Sequence, residues 1–465
     1  MKTLSGAERK ALYLRALTLA VPMMIQNGIT NAVGLVDNLM VGSLGTESMT
    51  GVSICGQLIF VFNLAIFGAL SGPGIFGAQF FGNKDMEGVR KTFRIKIWMV
   101  MFCALVGIAA FLFADKLFIG LYLSGTTENI DPILTMEKAR EYLRIMLIGF
   151  VPFSMTQVYS TTLRENNESL MPMVSGVCGV ATDVILNYIL IFGKLGLPAM
   201  GVEGAALATV ISRFVELAVL VIWSHLRRKK FEFLQGIYRT ILVDIKMFIP
   251  VMKKSIPIMV NEFLWSAGII SINQLLSRRS LAVVPAIGIA VALTNLLNVV
   301  FVSMGSAVGI IIGQMLGAGE MKDIKDKALT LMFFTAYLSF GLSALLLLVA
   351  PHFPQFYNTD DQVKNMATVF ILLTATFFPL QGFLNAQYFT IRSGGKTFIT
   401  FLADSGFTWL VIVLTVYLII QYTKLDLFMV YTISLSLDIL KVACGAWLIH
   451  KGIWITNLVK QDVES

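Results

Sequence analysis

The sequence is poor in the residues on which soluble proteins depend for their surfaces and their chemistry. Only 14% of its 465 residues are charged, and it has 3 histidines and 4 cysteines. By contrast, 56% are hydrophobic and the mean hydropathy is +0.78. A soluble protein of this length needs far more charge to cover its surface. The sequence therefore predicts an all-α polytopic membrane protein.

The scarce cysteines and histidines argue against several kinds of site. Cys55, Cys103, Cys178 and Cys444 all lie in apolar runs without C-x-x-C spacing, which indicates neither a disulfide framework nor a zinc site. The chain also lacks a G-x-x-x-x-G-K-[ST] phosphate loop and an H-E-x-x-H motif. We therefore expect neither an enzyme nor a primary pump, and no cofactor beyond a coupling ion.

The net charge of +8 comes from basic residues in short loops. They concentrate at 84–96, 226–246 and 322–327, between apolar runs, and form no continuous stripe, so we expect no nucleic-acid partner. These are the even-numbered loops, and the positive-inside rule then predicts a plasma-membrane protein with both termini in the cytoplasm. The pair Arg278 and Arg279 falls on the outside in this scheme and is the one clear exception.

Hydropathy over windows of about 20 residues predicts about twelve spanning helices. They lie near 13–40, 50–80, 93–119, 139–162, 170–192, 203–225, 247–276, 283–315, 328–350, 365–391, 398–421 and 427–449.

The two halves of the chain are related by an internal repeat. A shift of 235 positions aligns Pro22 with Pro257, Asn38 with Asn273, Asn63 with Asn298, Ser71 with Ser306, Gly74 with Gly309, Gln79 with Gln314, Gly82 with Gly317 and Met86 with Met321. Because each half has an even number of helices, the halves share one orientation and form a parallel repeat. We expect an N-lobe at 1–225, a cytoplasmic linker at 226–246 and a C-lobe at 247–465.

Three acids inside predicted spans have no basic residue within a turn of the same helix: Asp37, Asp183 and Glu262. An ionisable group in a spanning helix indicates a functional site by default. Each of the three must stay protonated or find a cation, and both outcomes suit ion coupling. The bend that Pro22 permits in the first helix would make that helix a moving part.

The remaining intramembrane charges suit structural roles better. Arg213 with Glu216, and Asp438 with Lys441, are spaced i,i+3, so each pair can neutralise itself on one helix face. Asp404 lies near the start of the eleventh predicted helix, where both a solvated and a functional acid are consistent with the sequence.

Asp183 and Asn187 are i,i+4 neighbours, so a carboxylate and an amide oxygen point to one spot. With Asp37 and the hydroxyl of Thr209 they would form an oxygen cluster of the kind that hard cations such as Na⁺ prefer. The alternative is that Asn187 and Thr209 only make hydrogen bonds between helices.

The chain resembles the multidrug and toxic compound extrusion (MATE) transporters, a family within a superfamily that includes polysaccharide-lipid flippases. The resemblance lies in Pro22 and the segments Asp37–Gly42, Gly77–Gly82, Leu186–Gly193 and Gly201–Thr209, and it covers nearly the whole chain. It implies two six-helix bundles in a V shape. It also implies a secondary antiporter that exports amphipathic, mostly cationic compounds in exchange for Na⁺ or H⁺.

The resemblance also implies an N-lobe cation site, onto which Asp37 and Thr209 fall by motif. On the fifth helix, Asp183 stands where the family often has Asn and Asn187 where it often has Asp, so the ligand set is kept but exchanged by one turn. The tenth helix lacks the acid that some branches carry, which leaves Glu262 as the C-lobe candidate. We expect Gln26, Asn27, Gln157 and Asn385 to line the substrate cavity.

The 34 Phe and 23 Met residues favour apolar cations as substrates, because aromatic faces attract cations and Met side chains are adaptable. The commonplace interpretation of most of these residues is lipid contact and helix packing. The main rival function is a flippase or exporter of one lipid-linked or metabolic substrate, and a receptor or scaffold is a third. A flippase would hold phosphates with several cationic groups, and only Arg213 and Lys441 suggest themselves in the sequence. We expect a monomer.

Overall fold

The computed structural model describes residues 4–123, 131–240, 242–280 and 282–461. Its helices are α1 (Gly6–Gly42), α2 (Thr46–Gly82), α3 (Met86–Phe113), α4 (Asp115–Leu123), α5 (Pro132–Glu165), α6 (Leu170–Phe192), α7 (Gly201–Leu226), α8 (Ile245–Ser277), α9 (Val283–Gly317), α10 (Ile324–Val349), α11 (Asp361–Ser393), α12 (Thr397–Phe401), α13 (Leu414–Tyr422), α14 (Leu427–Lys451) and α15 (Leu458–Gln461).

The predicted all-α membrane fold with about twelve spanning helices is confirmed. Within the described ranges, 11 helical stretches are long and apolar enough to cross a membrane. The remaining long helix, α5, has 34 residues and carries charged side chains in its first turns. From Ile145 to Leu163 it has no charge, and this stretch falls within the roughly 17–25 residues that span a bilayer.

Two predicted helices are less regular than their hydropathy indicated. The prediction of one continuous helix over 93–119 is wrong near its end, since α3 stops at Phe113 and α4 begins at Asp115. The eleventh predicted helix contains two π-helical segments between α12 and α13, at Leu402–Gly406 and Thr408–Val413. Such π segments often mark functional positions, and hydropathy does not report them.

The chain forms two compact units. The C-terminal unit contains the chain up to Met24, the segment Ala78–Lys84 and the chain from Pro250 onward. The N-terminal unit contains Ile25–Gly77 and Asp85–Ile249. The division passes through α1 two residues after Pro22. The lobe boundaries expected from the sequence remain a prediction.

In the N-terminal unit, α7 packs against α5 and α6, and α3 packs against α5. The basic segment between α7 and α8 also belongs to this packing. Arg90 donates to the Phe233 carbonyl at 3.2 Å, and Arg94 donates to the Ile237 carbonyl at 3.0 Å. Phe233 and Ile237 are themselves buried, so this part of the predicted linker is a structured element.

In the C-terminal unit, α11 packs against α9, α10 and α14. The end of α2 crosses α9 at residues that the repeat relates. A Cβ on Gly82 would overlap the backbone of Gln314, and a Cβ on Gly317 would overlap the backbone of Gln79. The two repeat-related Gln and Gly pairs therefore face each other, and only glycine permits this approach.

Candidate functional site

The candidate site in the N-terminal unit begins with α1, an uninterrupted helix that contains both Pro22 and Asp37. Proline has no N–H to donate and its ring crowds the preceding turn, so the helix is weakest near Pro22. Asp37 lies about four turns further along, where α1 faces α6. The Asp37 Oδ1 atom accepts a hydrogen bond from Asn187 Nδ2 at 2.8 Å.

Helix α6 supplies the second carboxylate and the amide. Asp183 and Asn187 are buried, with 6% and 1% of their surface exposed. Asn187 Nδ2 also lies 3.4 Å from Asp183 Oδ2, so one amide group spans the carboxylates of Asp37 and Asp183. These contacts bring Asp37 of α1 together with Asp183 and Asn187 of α6, as the sequence led us to expect.

Helix α7 closes the other side of this cluster. Thr209 and Ser212 both neighbour the Asp183 carboxylate. Their hydroxyls donate to the backbone of α7 itself, Thr209 Oγ1 to the Ala205 carbonyl at 3.1 Å and Ser212 Oγ to the Thr209 carbonyl at 2.7 Å. Each hydroxyl thus keeps an oxygen lone pair free for another donor or a cation.

Two oxygen atoms at the centre of the cluster are left without a donor. Asp183 Oδ1 and Asn187 Oδ1 are buried, and neither accepts a hydrogen bond from any residue that the structure describes. Buried polar atoms are almost always satisfied, so such a pair needs an explanation. Two carboxylates, an amide oxygen and hydroxyl oxygens match the ligands of a hard cation such as Na⁺. The residues present therefore fit a coupling cation.

The charges around the cluster lead to the same conclusion. Arg213 forms the expected i,i+3 ion pair with Glu216 at 3.3 Å, and it also lies over the ring of Phe153. Arg164 is a second guanidinium close to Glu216. With Asp37 and Asp183, the region holds three acids and two arginines, so one further positive charge neutralises it.

The predicted cavity residues of the N-terminal unit have different surroundings. Gln26 Oε1 accepts a hydrogen bond from Arg164 Nη2 at 2.7 Å, and Gln26 packs against Gly176, where a Cβ would clash with it. Asn27 and Gln157 are half-buried. A cavity role for these residues remains a prediction.

Glu262 belongs to the C-terminal unit, in a separate polar network. Its Oε1 atom accepts a hydrogen bond from Tyr388 Oη at 2.9 Å, and Arg392 and Asp404 are its charged neighbours. Asn261, the preceding residue of α8, donates to Asp404 Oδ2 at 2.9 Å. Glu262 has no basic residue within a turn of its own helix, but Arg392 of α11 is its basic neighbour.

Asp438 and Lys441 do not form the expected direct ion pair, although Lys441 is a charged neighbour of Asp438. Lys441 forms its ion pair with Asp404, on the π-helical segment before α13. Asp438 instead accepts a hydrogen bond from Gln381 on α11. Spacing along one helix could not reveal this pairing, because the partners come from other helices. Asn385, the remaining cavity candidate, packs with its Oδ1 atom against Gly305 of α9.

The sequence interpretation missed the buried basic residues. Arg164 and Arg392 close the repeat-related Thr-Leu-Arg and Thr-Ile-Arg ends of α5 and α11, and each has a carboxylate nearby, Glu216 and Glu262 respectively. The sequence interpretation assigned neither arginine to a candidate site. Lys96 was placed in a basic loop, yet it is fully buried and lies 2.7 Å from Glu165.

Comparisons with known proteins agree with this architecture. The MatE family model matches residues 22–189 and 257–418. The chain is 29% identical over 306 residues to the probable multidrug resistance protein NorM of Thermotoga maritima, which covers 60% of the chain and 61% of that protein. It is 24% identical to the probable multidrug resistance protein YoeA of Bacillus subtilis, over 95% of the chain and 94% of that protein.

A solved structure of the Vibrio cholerae MATE transporter VcmN, in a mutant form, superimposes with a TM-score of 0.83 at 16% identity. The alignment covers 96% of this chain and 98% of that one. Since the family model covers more than half of the sequence, in two blocks that follow its internal repeat, the chain belongs to the MatE family of multi-pass membrane transporters and is not an enzyme.

Proposed function

We propose that the protein is a secondary antiporter that exports amphipathic, mostly cationic compounds in exchange for Na⁺ or H⁺. The observation that carries the proposal is the pair of buried oxygens, Asp183 Oδ1 and Asn187 Oδ1, which lack donors among the described residues beside the Asp37 carboxylate. The multidrug resistance names of the NorM and YoeA relatives support the class of substrate.

The chain's own residues supply the coupling. Asp37, Asp183, Asn187 and Thr209 would hold the ion, and the ion would supply one positive charge. Two carboxylates close together in a low dielectric repel each other strongly unless a proton or a metal cation is shared. Relief of that repulsion draws Asp37 toward α6, and α1 bends near Pro22. Gln26 and Asn27, four and five residues beyond Pro22, would then shift in the substrate cavity with it.

Coupling of this kind has one thermodynamic requirement. The ion and the substrate must each bind the two conformations with different affinity, since a ligand with equal affinity for both shifts nothing. We propose that Glu262 contributes in the same way from the C-terminal unit, where its partners Tyr388 and Arg392 both lie on α11. We propose that Gln157 contributes to substrate binding in the N-terminal unit and Asn385 in the C-terminal unit.

Transport in proteoliposomes tests the proposal directly. Vesicles containing the purified protein receive an imposed Na⁺ gradient, an imposed H⁺ gradient or neither, with a panel of cationic dyes and of anionic lipids. Gradient-dependent movement of the dyes is the expected result, and the effective gradient identifies the ion. Movement of anionic lipid alone, or no dependence on either gradient, would reject the antiporter.

A flippase or exporter of one anionic lipid-linked substrate is the second candidate. Arg164, which is half-buried, and Arg392, which is buried, add to Arg213 and Lys441 as possible phosphate contacts, which weakens the argument that the chain has too few basic groups. Each of these four groups is close to a carboxylate that offsets it: Arg164 and Arg213 to Glu216, Arg392 to Glu262 and Lys441 to Asp404. Cation export therefore remains the better match.

We further propose a monomer in the plasma membrane with both termini in the cytoplasm. Lys229 is exposed in the basic segment and Asn358 is exposed in the loop after α10, on the opposite side of the membrane in this topology. In a cysteine-free background, Lys229→Cys should label only from the cytoplasm and Asn358→Cys only from outside. The reverse pattern in intact cells would overturn the topology.

A further inference from the structure

The arginine pair that breaks the positive-inside pattern lies at the end of α8. Arg279 has a structural role, because its Nη2 atom donates to the Ile420 carbonyl at 3.1 Å and to the Thr423 carbonyl. It thereby satisfies backbone oxygens where α13 ends. Arg278 is exposed and forms no ion pair with any residue in the described ranges. Its charge is thus left without a role in the fold.

A groove of about 360 Å³ runs between α8 and the helix formed by the second π-helical segment and α13. Ser271, Gln274 and Leu275 form one wall, and Trp409, Val413 and Tyr417 form the other. Its volume lies in the roughly 300–1,000 Å³ range of ligand pockets. All of it belongs to the C-terminal unit.

The groove has a defined end on each side. At one end the helices touch, because a Cβ on Gly268 would press on Thr408, and Trp409 Nε1 donates to the Leu264 carbonyl at 2.8 Å. At the other end Arg279 links α8 to the last turn of α13. The groove is therefore bounded at both ends by contacts between the two helices and is open along its length.

The unassigned arginine comes three residues after Leu275, the last α8 residue in the wall of this groove. Ser271, Gln274 and Leu275 are spaced i, i+3 and i+4, so they share one face of α8. Arg278 follows in the turn directly after the last residue of the helix, Ser277. From Gly268 to Ser277 the helix rises about 14 Å, at about 1.5 Å per residue. One leaflet of a bilayer has about the same depth of hydrocarbon, half of roughly 30 Å.

We propose that this groove is a binding site for one anionic phospholipid of the surrounding bilayer. An acyl chain lies along Leu275, Val413 and Trp409, and the phosphate is held by Arg278, with Gln274 as a hydrogen-bond donor one turn below. The charge of Arg278 selects an anionic headgroup. The site is independent of transport, since it shares no residue with the proposed ion site.

The test measures lipid retention by the intact protein. The protein is reconstituted in nanodiscs with equal phosphatidylglycerol and phosphatidylcholine, extracted in mild detergent, and the retained lipids are counted by native mass spectrometry. The wild type is expected to retain one phosphatidylglycerol in preference to phosphatidylcholine. Arg278→Gln should lose this preference, and Arg278→Lys should keep most of it.

Two further variants separate the groove from a general charge effect. Ser271→Trp fills the groove and leaves Arg278 in place, so it should also lose the retained lipid. Lys194→Gln removes an exposed charge at the end of α6 and should change nothing. Undiminished phosphatidylglycerol in Arg278→Gln, or retention in Ser271→Trp equal to wild type, would overturn the proposal.

Discussion

The polar network around the candidate coupling acids of each unit contains three acids and two basic groups, but the two networks satisfy these charges differently. In the C-terminal unit, Asp404 is paired with Lys441 and bonded to Asn261, and Glu262 is bonded to Tyr388. In the N-terminal unit, Asp37 and Asp183 face each other across one amide group. Asp183 Oδ1 and Asn187 Oδ1 are buried without a donor among the described residues, so the N-terminal unit has an unpartnered carboxylate oxygen beside an unpartnered amide oxygen. In the C-terminal unit the buried amide oxygen of Asn385 also lacks a donor among the described residues, but no carboxylate oxygen does.

This difference suggests how one ancestral half became specialised. A carboxylate with a fixed lysine partner is already neutralised, and a cation gains little there. Carboxylates whose remaining oxygens have no donor gain most from a cation that arrives and leaves. We therefore expect the N-terminal cluster to dominate coupling and the C-terminal network to modulate it.

The largest expected effect is on the N-terminal acids. Asp37→Asn and Asp183→Asn should each abolish gradient-driven efflux, because each removes a charge that the coupling ion offsets. The double variant should be little worse than either single one, since residues that act as a unit are not additive. Initial rates in proteoliposomes measure this. Asp438→Asn, which alters a buried acid bonded to Gln381, is the matched control and should retain most activity.

Normal pumping by either single variant, or defects that multiply in the double variant, would contradict a shared site. The coupling acid would then have to be sought at Glu262.

A smaller effect is expected from Glu262→Gln. The amide can still accept the hydrogen bond from Tyr388, so folding should persist while export falls several-fold. Export rate and the monodispersity of the purified protein are measured together. Export at the wild-type rate would return Glu262 to a structural role, and complete loss of export would remove the contrast between the units.

Substitution of Thr209 should have a milder effect. Thr209→Val keeps the shape of the side chain and removes one candidate oxygen ligand. The ion concentration for half-maximal transport should rise roughly three- to tenfold, the equivalent of about 0.5–1.5 kcal/mol for one polar contact. The test is an ion titration of the transport rate, with Thr182→Val on α6 as a control. An unchanged midpoint would remove Thr209 from the ligand set.

The buried ion pair of Lys96 and Glu165 provides a reference for how much a buried charge pair contributes to the free energy of unfolding. Lys96 Nζ contacts both oxygens of Glu165 and the hydroxyl of Thr162 at 2.9 Å. Lys96→Met should lower the free energy of unfolding by about 3–5 kcal/mol, since it leaves an uncompensated buried carboxylate. Denaturant titration in detergent measures the change.

The comparison variant is Lys138→Met, whose partner Glu141 is about one third exposed. It should cost less than about 1 kcal/mol. Equal losses for the two lysines would refute the buried-pair argument.

The sequence was sufficient for features that depend on one helix at a time. Hydropathy located about twelve helices, and the i,i+4 spacing of Asp183 and Asn187 placed both on one face. The i,i+3 pair of Arg213 and Glu216 also formed as spaced.

It failed where partners come from different helices. Lys441 pairs with Asp404 rather than Asp438, and Arg164 at a helix end is half-buried with its Nε atom out of contact with solvent. Periodicity gives the face of a helix but not which neighbour covers it. The π-helical segments that carry Asp404 and Trp409 leave no signal in composition either.

The most direct test of the central claim is ion binding by the purified protein without substrate. Isothermal titration with NaCl, and measurement of proton release on adding substrate, are performed on wild type, Asp37→Asn and Glu262→Gln. We predict saturable Na⁺ binding or stoichiometric proton release in the wild type, loss of that signal in Asp37→Asn, and its retention in Glu262→Gln. Retention in Asp37→Asn with loss in Glu262→Gln would place the coupling site in the other unit and contradict the account.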